Sequence, residues 1–187
     1  MNVILSLLPV MSDSTPRTIR LKDYAPPAFF ITAADLDFDI EDAQTTVRSA
    51  LSMHRNMAAA TPQAPLVLHG DGLDLLSVAI NGRTLGLSEY SVESEHLSIN
   101  AVPDAFTLDI VNRIKPQENT KLEGLYASST GLFTQCEAEG FRRITYFLDR
   151  PDVMARYAVT IHADRTRFPD LLSNGNPIAR GTEANGR

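Results

Sequence analysis

Asp35-Leu36-Asp37-Phe38-Asp39-Ile40 alternates an acid with an apolar residue over six positions. A period of two puts the apolar side chains on one face of an extended strand and the carboxylates on the other, so the stretch reads as a half-buried β-strand. Working outward, Val47, Leu51 and Met53 continue the pattern after Glu41-Asp42-Ala43-Gln44, which reads as a turn. Leu66-Val67-Leu68 is a further strand. Leu76, Val78 and Ile80 then run into Asn81-Gly82, a strong hairpin signal with Arg83-Thr84-Leu85 as its return strand. His96-Leu97-Ser98-Ile99 and Phe106-Thr107-Leu108-Asp109-Ile110-Val111 are separated by Val102-Pro103-Asp104, and Tyr157, Val159 and Ile161 alternate before Asp164. Only 151–156 has a helical look, with Asp149 near its start and Pro151 at an early position. Short strands at regular spacing with one short helix predict an all-β sandwich or saddle of mostly antiparallel strands.

Composition narrows the function. The chain has 187 residues, enough for one sizeable β-domain with a buried core. Its 17 basic and 23 acidic residues leave a net charge of −6, and no basic cluster or Trp offers a platform for bases. Nucleic acid is therefore not an expected partner, and the modest acidity favours cationic ligands such as amines. Cys136 is the only cysteine, which rules out an intrachain disulfide and points to a reducing cytoplasm. The apolar opening 2–10 is too short to span a bilayer and lacks a positive n-region, so no membrane association is expected. Residues 1–20 read as a disordered or upstream tail, with Met1 and Met11 as alternative starts. At the other end, Leu171-Leu172-Ser173-Asn174-Gly175-Asn176 reads as a second hairpin whose return strand is missing, so the domain looks truncated in mid-sheet.

Catalytic signatures are lacking. His54, His69, His96 and His162 show no H-E-x-x-H spacing, there is no G-x-S-x-G, and Gly70-Asp71-Gly72 reads as a turn. Cys136 has no neighbouring base and reads as an inert thiol. No catalytic residue and no metal ligand is therefore assigned within this chain. The chemistry gathers instead in Thr134-Gln135-Cys136-Glu137-Ala138-Glu139-Gly140-Phe141-Arg142. If Gln135 and Glu137 are both extended, period two sets them on one face with Cys136 on the other. A carboxylate beside an amide can hold an ammonium group. The same residues could equally form an ionic network, Glu137 or Glu139 with Arg142 or Arg143, and the residues alone leave both readings open.

Asn119-Thr120-Lys121-Leu122-Glu123-Gly124-Leu125-Tyr126, the block from Thr134 to Val153, Leu171 to Asn176, and the early Arg20-Leu21-Lys22-Asp23-Tyr24-Ala25-Pro26-Pro27 together resemble the N-terminal domain of the bacterial zinc-dependent aminopeptidases. The similarity runs from about Leu21 to Arg187. It implies a saddle-like β-domain that packs against a catalytic domain, with zinc held downstream and none bound by this chain. It also implies that Glu137 helps hold the free α-amine of a peptide substrate while Gln135 lines the pocket for the first side chain. The isolated chain is then expected to be inactive. The alternative is a stand-alone β-sandwich serving as a protein-binding or scaffolding module. The first reading predicts an exposed apolar docking face, the second a polar surface with closed edges.

Overall fold

The computed structural model describes residues 20–59, 61 and 63–186. The apolar opening and the alternative starts lie outside the described residues. Strands β1 (Phe29–Ile40), β2 (Thr45–Arg55), β3 (Leu66–His69), β4 (Asp74–Ile80), β5 (Arg83–Thr84), β6 (Tyr90–Val92), β7 (His96–Ile99), β8 (Ala105–Ile114), β9 (Gly124–Ser128), β10 (Gly131–Gln135) and β11 (Arg156–His162) follow in order. They form a six-stranded sheet, β11-β1-β2-β8-β4-β5, a three-stranded sheet, β3-β7-β6, and the hairpin β10-β9. All pairings are antiparallel except β1 with β11, which run parallel.

The acid-apolar alternation lies on β1, between the edge strand β11 and β2. Leu36 and Phe38 turn inward from β1, while before Ala33 the buried positions are Phe29 and Ile31. A register slip between Ile31 and Ala33 changes the parity, so one strand keeps a single apolar face along its whole length. β2 supplies Val47, Leu51 and Met53, and β8 supplies Phe106, Leu108 and Ile110. Leu51, Met53 and the three β8 side chains pack with Leu66, Leu68, Leu97 and Ile99 of the three-stranded sheet in one shared core, which makes the domain a β-sandwich. Leu36, Phe38, Val47 and Ile114 form a second core with Leu125 and Ile144, covered by Leu132 of the hairpin and by Cys136.

Three sequence expectations need correction. Residues 151–156 are not helical: they form a turn and then enter β11. Arg150 Nε and Nη2 bond both oxygens of Asp152 at 2.9 and 2.7 Å, and the Tyr24 hydroxyl donates to Asp152 at 3.0 Å. Those contacts hold the segment open, and six residues are too few to form a helix without tertiary support. Leu76 does not share the face of Val78 and Ile80. A register shift between Leu75 and Ser77 turns it outward to 44% exposure and leaves Leu75 against the core. Asn174-Gly175 forms a bend without a ladder, and no strand follows β11 among the described residues. The Asn81-Gly82 turn stands, with both residues at positive φ, 50° and 78°, as a tight two-residue hairpin requires.

Polar groups buried in this core fasten residues 144–149 to the sheet. Asn112 is fully buried on β8 and donates from Nδ2 to the Ile144 carbonyl at 2.9 Å, and Ser49 and Thr145 share a hydroxyl hydrogen bond of 3.2 Å. On the opposite side His69 exchanges two backbone hydrogen bonds with Phe147, at 2.8 and 3.0 Å. Asn112→Ala should cost about 1–3 kcal/mol by leaving the buried Ile144 carbonyl without a donor, read as a lower urea midpoint. The two strand-end histidines should titrate in opposite directions in NMR. Burial, then the positive charge of Arg142, pushes His69 down from 6.5; burial also works against His162, but hydrogen bonds from its ring to the Glu183 and Asp37 carboxylates carry it above 6.5. His69 thus withdraws stability as pH falls below its unfolded value, and the stability supplied by His162 disappears as pH rises through its folded value.

Candidate functional site

β9 and β10 form a short hairpin that carries the motif out of the core. Gln135 pairs with Gly124 at its base, and Tyr126 lies opposite Phe133 with ring centroids 6.2 Å apart. The chain leaves β10 after Gln135 and turns through 137–140 into a three-residue 3-10 segment, Phe141–Arg143. Glycine is needed at the base of this turn because two backbones meet there. A Cβ on Gly140 would lie 2.5 Å from the Gln135 carbonyl oxygen, and one on Gly124, at φ +71°, would lie 2.6 Å from Arg143 Cβ.

The extended reading of Gln135 and Glu137 is therefore corrected: Gln135 ends a strand and Glu137 begins a turn. They still come together, because Gln135 Nε2 donates to the Glu137 carbonyl at 3.2 Å. Both side chains are exposed. Cys136, between them, is half-buried against the second core, and burial followed by the charge of Asp149 pushes its thiol up. A thiol held protonated is a poor nucleophile.

The ionic network is present as well, through the expected Glu139–Arg142 pair and around three further acids. Arg142 bonds Glu139 Oε2 at 3.1 Å and Asp149 Oδ2 at 3.0 Å. Arg143 bonds Asp71 at 2.5 Å and Glu123 at 3.2 Å. The Glu137 carboxylate has no ion pair or hydrogen bond among the described residues. Of five carboxylates near the turn, four are ion-paired with two arginines, and the fifth faces solvent beside an ordered amide. Such an arrangement suits a cationic ligand of ammonium type.

Among the described residues, no three His, Cys, Asp or Glu side chains converge as a metal cage. His54, His69, His96 and His162 lie on β2, β3, β7 and β11, and the residues described do not fit a zinc ion. No described helix is long and apolar enough to cross a membrane. Sequence reasoning missed the hairpin under the motif and the arginine pairings to Asp149, Asp71 and Glu123. Gly124 and Gly140 were the available signals, since invasive backbone contacts call for glycine, but their sixteen-residue separation conceals the contact.

The chain is similar to known proteins over most of its length. The family model described as the Peptidase M1 N-terminal domain matches residues 31–187. The chain is 49% identical over 177 residues to aminopeptidase N of Caulobacter vibrioides, covering 95% of this chain and 20% of that protein. It is 50% identical over 172 residues to aminopeptidase N of Escherichia coli, covering 92% and 19%. The crystal structure of Legionella pneumophila aminopeptidase A in complex with aspartic acid superposes with a TM-score of 0.85 at 32% identity, over 90% of this chain and 20% of that one. The chain spans about a fifth of the length of these relatives. Strand order, motif and similarity converge: the chain belongs to the M1 peptidase family and is an N-terminal domain of the aminopeptidase N type.

Proposed function

We propose that this domain works within a longer zinc-dependent aminopeptidase that removes N-terminal residues from peptides, and that it supplies Glu137 to hold the substrate α-amine and Gln135 to line the pocket for the first side chain. The observation that carries this reading is the unpaired Glu137 carboxylate at a turn whose neighbouring acids are already engaged by arginines. An α-ammonium brought to it forms a charge-assisted pair, and a peptide lacking a free amine leaves the carboxylate desolvated without a partner, which is a physical basis for exopeptidase selectivity. The amino acid bound in the Legionella relative is consistent with a family site that takes a free amine and carboxylate.

The catalytic domain, the zinc and the groups that activate water would belong to the remaining polypeptide, and the isolated chain would hydrolyse nothing. Exposed apolar side chains support a missing partner. Tyr157 and Val159 on the outer strand β11 and Phe133 on β10 are all open to solvent, and Leu172 and Ile178 beyond them are 83% and 95% exposed. They weigh against a self-sufficient binding module with a polar surface. We place the start of the domain near Leu21, because Arg150 Nη2 bonds the Ala25 carbonyl at 2.8 Å and Tyr24 reaches Asp152, tying the entry segment to the body. A cytoplasmic setting accords with the single protonated thiol.

The deciding experiment compares this chain with a chain extended through the downstream reading frame, on an alanine anilide with added zinc. Activity is expected only in the extended protein, and Glu137→Gln there should lower kcat/KM by about 10- to 100-fold, the worth of a charge-assisted hydrogen bond. Hydrolysis by the 187-residue chain, or an extended protein indifferent to the substitution, would refute the assignment.

A further inference from the structure

Arg142 does more than balance charge. Its backbone N–H and its Nε both donate to Asp149 Oδ2, at 3.1 and 3.0 Å, and its Nη2 donates to the Asp149 carbonyl at 3.2 Å. The same Nη2 holds Glu139 at 3.1 Å, and the Arg142 carbonyl accepts from the Asp71 N–H at 2.9 Å. Asp149 is itself anchored: it is buried, and its N–H donates to His69 Nδ1 at 3.2 Å. The guanidinium thus ties the far side of the 137–140 turn to the core segment, and the Arg142 backbone carbonyl ties it to the loop between β3 and β4. Lysine could not reproduce this, since a single ammonium lacks the planar fork that reaches a carboxylate, a carbonyl and a second carboxylate together.

The consequence falls on Glu137, two residues before Glu139. With Glu139 drawn back onto Arg142, the turn presents one uncompensated carboxylate. Without the clamp it would present two, and the tether on its C-terminal side would be lost. We infer that Arg142, buttressed by Asp149, is a positioning residue that selects Glu137 as the carboxylate meeting the substrate amine and holds it in place. This rests on the amine-anchor reading of Glu137 given above. Arg142 touches no substrate in this scheme and acts through the turn.

A double-mutant cycle in the full-length aminopeptidase tests it, with kcat/KM on an alanine anilide and thermal unfolding read in parallel. Glu137→Ala alone examines the anchor: unchanged kcat/KM would end that reading and this inference with it. Given a loss there, Arg142→Met is expected to lower kcat/KM about tenfold in the parent enzyme and by less than about twofold in the Glu137→Ala background, because contacting groups acting through one another are not additive. An equal loss in both backgrounds would overturn the inference and leave Arg142 a general support of the fold. Arg142→Lys keeps the charge without the fork and covers the case in which the methionine variant does not fold. It should show the same dependence on background, and parental kcat/KM in Arg142→Lys would likewise overturn the inference.

Discussion

Burial of residues 144–149 is the constraint on which the rest of this domain depends. The segment passes through the core with Ile144, Tyr146, Phe147 and Leu148 all buried, yet only Phe147 is bridged to a strand. Its backbone polar groups must find partners away from water, since an unpaired buried carbonyl or amide costs about 1–3 kcal/mol. Asn112 on the large sheet and His69 on the small sheet supply them, while Ser49 satisfies the buried Thr145 hydroxyl. The two sheets are therefore held in relation to one another by the segment that leads out of the motif.

Order at the exposed site follows from that burial. Arg142 stands where the buried segment begins, Asp149 where it ends, and their ion pair closes the loop between them. The turn at 137–140 is fixed at one end by the β9–β10 hairpin and at the other by this pair. Gly140 permits the close approach to the Gln135 carbonyl that makes the turn so compact. The proposed amine anchor is accordingly held by fixed neighbours while its carboxylate stays in solvent. A site of this kind benefits from that preorganisation, because the backbone of the turn is already ordered before binding.

How much was legible from residues alone varied by element. Alternation in β1, β2 and β8 and the Asn81-Gly82 turn could be read directly, since each depends on neighbours two residues apart. The slips at Ile31/Ala33 and Leu75/Ser77 could not, because a bulge is set by the partner strand and not by the strand that carries it. Residues 151–156 misled for a similar reason: Pro151 and Asp149 imitate a helix start, while the bonds among Arg150, Asp152 and Tyr24 reach across 128 residues. The motif was conspicuous by its density of acids, but composition could not tell which acid was already paired.

Local sequence therefore determined the all-β class, most strand positions, the absence of known catalytic spacings and the stretch in which acids, amide and thiol crowd together. Each of these rests on short-range periodicity or on residue identity. Only the tertiary structure decided that β11 lies parallel to β1, that Gly124 and Gly140 meet under the motif, and that Glu139, Asp149, Asp71 and Glu123 are taken up by two arginines while Glu137 is not. Those outcomes depend on which distant segments come within about 3 Å of one another, where hydrogen bonds and ion pairs act, and adjacency along the chain does not encode that distance.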